Sequence, residues 1–258
     1  MHLLLDSTVS FWGHFVQNKN SVLLADIRKL SYLCAQNGSA MDETQIREEL
    51  TAPIAAISRH RILLDGDGVR TLVIFQGCPL RCEYCVNLFA IDTKRPRKRY
   101  TAEQLVEKAM EDNLYFLATR GGITFGGGEP LLQSRFIARF HEVCPPEWTI
   151  QIETSLNVPQ EELARVEPFT QHFIVDVKDM NPAIYQRYTR CGNECVLANL
   201  RWLIEKGRAD DIFVRVPLIP EYNTADEVEK SIADLQAMGL THFDRLTYKI
   251  RNREQNGK

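Results

Sequence analysis

Apolar and polar positions change rhythm along this chain of 258 residues. From about residue 71, short apolar, β-rich runs alternate with longer stretches of helical spacing. The runs TLVIFQ (71–76), GITF (122–125), TIQIET (149–154), HFIVDVK (172–178), DIFVRVPLI (211–219) and RLTYKI (245–250) predict six strands. Between them, TAEQLVEKAMED opens on a Thr cap with Glu103 and Gln104 in its first turn, and SRFIARFHEV, QEELARV, CVLANLRWLIEKG and TADEVEKSIADLQAMG carry helical spacing. Repeated strand–helix units imply a parallel sheet with right-handed crossovers. The strands read as apolar on both faces, as expected when helices cover one side and a packed or substrate-filled interior the other. Six units are too few to close an eight-stranded barrel. The expected α/β fold is therefore a curved, open, partial (β/α)6 barrel, with its chemistry at the carboxyl ends of the strands.

The N-terminal region has a different pattern. SVLLADIRKLSYLCAQ and ETQIREELTAPIAAIS read as amphipathic helices joined by the turn-forming NGSAMD. No catalytic spacing occurs there, so residues 1–56 are expected to be a helical appendage for docking, on a barrel spanning residues 57–258. The basic run KRPRKR (94–99) reads better as a solvated loop than as a partner-binding patch.

Composition narrows the class. With 44% hydrophobic and 25% charged residues the chain has the apolar mass for one large domain with a core. The net charge of −3 is spread along the chain, which gives no field to attract nucleic acid or an anionic membrane. Its apolar runs are too short to cross a bilayer, and MHLLLDSTVSFWGHFV has no basic segment of the signal-peptide kind, so a cytoplasmic protein is expected. Of seven cysteines three crowd into GCPLRCEYC, which suggests metal or redox chemistry in a reducing compartment rather than a disulfide framework. Cys34 and Cys144 read as packing residues, Cys191 and Cys195 as ordinary loop thiols.

Cys78, Cys82 and Cys85 follow the first strand as C-x3-C-x2-C. Three thiolates on one tight loop can hold three irons of a cubane and leave the fourth iron open for a ligand. Structural zinc wants four ligands, commonly as two pairs, and no second pair lies nearby; His60 comes before the strand. Spacing favours a cluster over zinc or plain thiols and leaves all three open. GGITFGGGEPLLQ places Gly126, Gly127, Gly128 and Glu129 at the end of the second strand. Bare backbone there lets a ligand come close, and a carboxylate can accept from an ammonium group; a tight turn with a solvated acid is the plainer alternative. Glu153, Thr154, Asp176 and Lys178 end the third and fourth strands, where charge points to function.

Taken together these motifs resemble the radical S-adenosylmethionine superfamily, whose three-cysteine loop carries an aromatic residue before its last cysteine, here Tyr84. Within it the chain is most similar to the activating enzymes of glycyl radical enzymes, such as pyruvate formate-lyase activase. Their DGPG-x-R opening corresponds to DGDGVRTLVIFQGCPLRCEYC, Asp65 to Cys85, and the resemblance runs over residues 57–250. It implies that Cys78, Cys82 and Cys85 bind a [4Fe–4S] cluster, with Tyr84 and Asn87 beside the cofactor. Gly127, Gly128 and Glu129 match the motif that binds the amino group of S-adenosylmethionine. Glu153, Asp176 and Lys178 match residues of a monovalent-cation site and of the cofactor's methionine end, and Arg215 matches an arginine that pairs with the cofactor's carboxylate or with Glu129, unless it forms an ordinary salt bridge. Glu153 stands for the family's Asp, Val86 and Lys249 for its His. The implied activity starts with an electron from a flavodoxin- or ferredoxin-like donor. A 5′-deoxyadenosyl radical then removes the Cα hydrogen of a glycine on a partner glycyl radical enzyme. A radical enzyme acting on a small molecule or ribosomal peptide is the alternative, and a non-catalytic zinc protein a distant one.

Overall fold

The computed structural model describes residues 50–62, 66–94 and 97–248. SVLLADIRKLSYLCAQ, and with it most of the expected helical appendage, lies outside the described residues, as does Lys249.

All six expected strands form: β2 (Val69–Phe75), β4 (Gly122–Gly127), β5 (Thr149–Thr154), β6 (Thr170–Asp176), β7 (Ile212–Leu218) and β8 (His242–Thr247). They are parallel neighbours in that order. Two antiparallel strands extend the sheet past β2: β1 (Thr51–Ile62) and the short β3 (Arg99–Thr101). The order β3-β1-β2-β4-β5-β6-β7-β8 leaves β3 and β8 as its two ends, the topology of an open partial barrel.

β1 corrects the sequence reading, in which ETQIREELTAPIAAIS was a helix throughout. Pro53 explains the difference: inside a helix it would remove a backbone hydrogen bond and clash with the preceding turn, at about 3 kcal/mol. In the strand it pairs across from Arg99, and its carbonyl accepts from Gln76 N at 3.0 Å. Among the described residues the sheet begins at Thr51, ahead of the boundary expected near residue 57.

Helices follow the strands: α1 (Leu88–Ile91), α2 (Ala102–Ala109), α3 (Asn113–Thr119), α4 (Ser134–Val143), α5 (Gln160–Val166), α6 (Pro182–Thr189), α7 (Glu194–Glu205) and α8 (Ala225–Ala237). Thr101 and Thr224 cap α2 and α8 with reciprocal bonds to Gln104 and Glu227. One face of the sheet packs on these helices through Val73, Phe75, Ile123, Phe125, Ile152 and Val214. The alternate positions form the inner face, and here the expectation of apolar strands on both sides fails: Arg70, Thr124, Gln151, Glu153, Asp176 and Arg215 share it with Leu72 and Ile74. Arg70, fully buried, donates to Thr124 Oγ1 and Thr149 Oγ1 at 2.8 Å each, to Ile123 O at 2.6 Å and to Thr149 O at 3.0 Å. The arginine of DGDGVR thus ties together the amino ends of β2, β4 and β5. No helix among the described residues is long and apolar enough to cross a membrane.

Candidate functional site

The cysteine loop leaves the carboxyl end of β2 and is pinned on three sides. Leu80 is buried beneath it, Arg81 N donates to Thr189 O at 2.8 Å, and Gly77 N donates to Ala90 O at 2.8 Å. The turn after β4 is laced to the same loop, because Glu129 N donates to Gly77 O at 2.8 Å and Asn87 Nδ2 donates to Gly127 O at 3.2 Å. Two glycines make that approach possible. Gly127 has φ +97°, and a Cβ there would stand 2.2 Å from Ile74 Cγ2; a Cβ on Gly128 would stand 2.1 Å from Gly77 O. The glycine run is therefore demanded by the close passage of two backbone segments.

Cys78, Cys82 and Cys85 line one cleft of about 710 Å³, counted to its open mouth, with Tyr84, Asn87, Gly127 and Gly128. Glu153, Thr154, Ser155, Asp176, Lys178, Tyr188 and Tyr248 form its opposite wall. All three thiols are half-buried and free of disulfides. Burial is the main reason that the Cys78 thiol is pushed up to about 12 and the Cys82 thiol to about 11; Glu129 adds to the first shift and Lys178 opposes the second. Only a bound cation holds such thiols ionised at neutral pH. Lys178 Nζ donates to Asp176 Oδ2 at 3.0 Å and to Tyr248 Oη at 2.7 Å. Burial works against its charge, but Asp176 and Tyr248 overcome this and raise its pKa well above the ordinary lysine value. Tyr84 Oη donates to Glu221 Oε2 at 2.7 Å, and that carboxylate is the chief reason its phenol is pushed up to about 12.

Two of the expected residues have partners within the protein. Glu129, 1% exposed, takes bonds from Thr154 Oγ1 (2.6 Å), Ser155 Oγ (2.7 Å), Ser155 N (2.9 Å) and Leu131 N (3.2 Å). A carboxylate has about four acceptor positions, so this one is saturated from inside the wall and is not on the cleft surface. Arg215 bonds Glu153 Oε1 at 2.8 Å and lies 3.8 Å from Asp244, the salt-bridge arrangement among the readings given for it. It faces a second cavity lower in the barrel, beside Asp67, Gln151 and His172. Cys191 rests on the loop, with Sγ 3.5 Å from Pro79 O, yet lies off the cleft with Cys195. Sequence reasoning missed Tyr188, since an aromatic residue at helical spacing reads as plain core.

These features have a family. The chain belongs to the radical SAM superfamily, whose model matches residues 72–235. It is 29% identical to the (2S)-3-sulfopropanediol dehydratase activating enzyme of Klebsiella oxytoca, over 74% of this chain and 85% of that protein. It is 28% identical to the pyruvate formate-lyase 2-activating enzyme of Escherichia coli K12, over 74% of this chain and 75% of that one. Among solved structures, Streptococcus suis SuiB bound to S-adenosylmethionine superposes with a TM-score of 0.53 at 12% identity, over 68% of this chain and 39% of that longer one, a likeness of fold.

The family's cofactors are a [4Fe–4S] cluster and S-adenosylmethionine. The residues fit them. Cys78, Cys82 and Cys85 line one cleft beside the bare backbone of Gly127 and Gly128, and three thiols are a donor set that would hold three irons of a cubane.

Proposed function

We propose that the chain is an activating enzyme that installs a glycyl radical on a separate partner enzyme. The observation that carries this reading is the cysteine loop clamped by Asn87 and by the Glu129 amide against the Gly127–Gly128 turn, with the Lys178–Asp176 pair across the cleft. Its support beyond the site is that relatives named as activating enzymes match along most of their length. Cluster and cosubstrate together supply reductive cleavage to a 5′-deoxyadenosyl radical. The protein does the rest. Cys78, Cys82 and Cys85 hold three irons, and the bare backbone of Gly127 and Gly128 lets an ammonium group approach carbonyl oxygens. Lys178, kept charged by Asp176 and oriented by Tyr248, offers a cation to a carboxylate. The open side of the barrel admits a glycine-bearing loop. The electron donor in this reading is a flavodoxin- or ferredoxin-like protein in the cytoplasm, and neither nucleic acid nor a membrane takes part.

The test is anaerobic incubation of the reduced holoprotein with S-adenosylmethionine and candidate partners, followed by electron paramagnetic resonance. A doublet that collapses on α-deuteration of the target glycine, with about one 5′-deoxyadenosine per radical, is expected. Repeated turnover on a small molecule or a ribosomal peptide, with no radical left on any protein, would assign the chain to that other substrate class.

A further inference from the structure

Tyr188, on α6, is fully buried, its ring packed by Tyr222 at 5.0 Å, Tyr248 at 6.2 Å and Tyr84 at 6.3 Å between centroids. The residue lines the cysteine cleft, and its phenol oxygen is buried with no hydrogen-bond partner. Leaving a buried hydroxyl unpaired costs about 1–3 kcal/mol, and native proteins seldom do so without strain, a redox or catalytic role, or a bound water or ion to account for it. The surrounding polar groups are already engaged. Lys178 donates to Asp176 and Tyr248, Tyr84 donates to Glu221, and Tyr185 Oη accepts from Asn157 Nδ2 at 3.1 Å. What faces the phenol is the cysteine loop. The bond from Arg81 N to Thr189 O fastens that loop to α6 one residue past Tyr188. Cys82, the residue after Arg81, lines the same cleft as Tyr188.

We infer that the Tyr188 hydroxyl donates a hydrogen bond to the sulfur shell of the cluster at Cys82, and so raises the cluster's reduction potential. Reduction adds negative charge to the cluster, and a donor to its sulfurs stabilises that charge; such bonds are among the known determinants of cluster potentials. The inference rests on the cluster at Cys78, Cys82 and Cys85 and not on the identity of any partner.

The experiment is a redox titration of the cluster without S-adenosylmethionine, read by electron paramagnetic resonance of the reduced state. Cluster content is first fixed by iron and sulfide analysis, so a parent protein without a cluster would refute the ligand assignment itself. Tyr188→Phe keeps the ring and removes only the donor. Its cluster is expected to assemble as in the parent and to titrate at a more negative potential. Replacing Tyr188 by 3-fluorotyrosine, a more acidic donor, is expected to shift the potential the other way. Parent potentials in both variants would overturn the inference. So would a Tyr188→Phe protein that binds S-adenosylmethionine less tightly at an unchanged potential, because the donor would then belong to the cosubstrate. If Tyr188→Phe assembles no cluster, the fluorotyrosine protein decides: a positive shift supports the bond, and no shift refutes it.

Discussion

Glu129 stands beside the cleft with its carboxylate bonded into the wall. Its carboxylate gathers the end of β5 and the turn after β4 around itself, entirely out of water, and its main-chain N–H holds the cysteine loop. Burial raises its pKa although four donors oppose the shift. Truncation strands those donors in the wall. Glu129→Ala is therefore expected to cost about 1–3 kcal/mol for each buried donor that finds no new partner. Melting temperature, cluster content and cosubstrate affinity should fall together, with Glu129→Gln milder in all three. Thermal melts beside calorimetric titration check this. An affinity loss at an unchanged melting temperature would return the carboxylate to the ammonium-binding role that the family resemblance implies.

Among the elements, β1 is joined to the helical layer by a buried acid. Asp112, in the turn between α2 and α3, accepts from Arg59 Nε at 2.9 Å, Arg59 Nη2 at 2.6 Å and Thr71 Oγ1 at 2.7 Å, with His60 Nε2 at 2.8 Å. Burial opposes its charge, but Arg59 and Thr71 prevail and hold its pKa below the ordinary aspartate value. A lowered folded pKa means stability that is present above the unfolded value and is lost as pH falls through the folded one. Asp112→Asn should cost about 2–3 kcal/mol near pH 7, the worth of hydrogen bonds to a charged group. The gap to the parent should close below about pH 4, where the unfolded aspartate is protonated. Urea denaturation across that range reads it, and a pH-independent gap would mean that the charge is immaterial. Both partners sit on elements that differ in how far the chain's pattern announces them. The six parallel strands are legible because each is a short apolar run between helix signals, and the caps at Thr101 and Thr224 follow from local chemistry. β1 was obscured by apolar spacing that also suits a helix, although Pro53 spoke against one. α6 was missed despite Asn181-Pro182, a cap and first-turn pair, because only eight residues follow before the chain turns. In the site, the thiol loop and the glycine run are readable since coordination and close backbone approach constrain residue type locally. The direction of Glu129, the partner of Arg215 and the unpaired phenol of Tyr188 depend on which strands lie side by side, which no local spacing encodes.

At the scale of the whole molecule, the inner face of the sheet holds two cavities, one above the other, with Glu153 on the wall of the upper and Arg215 on that of the lower. Their ion pair forms part of the partition between them. Family resemblance places a monovalent cation at Glu153 and Asp176, but in this chain each carboxylate already has a built-in cation: Arg215 at 2.8 Å from Glu153, and Lys178 at 3.0 Å from Asp176. Two fixed positive charges leave little negative potential for an alkali ion, since each acid's field is largely cancelled over a few ångströms. Affinity for S-adenosylmethionine should then be the same, within about twofold, in potassium and in tetramethylammonium buffers of equal ionic strength. Removing the guanidinium should create the dependence. Arg215→Met removes that fixed cation from Glu153 beside the cofactor cleft, and affinity in tetramethylammonium is expected to fall about tenfold, or about 1.4 kcal/mol, with potassium restoring part of it. Calorimetric titration of parent and variant in the two buffers reads both effects. A parent protein that already needs potassium would show that an alkali ion binds here despite Arg215 and Lys178.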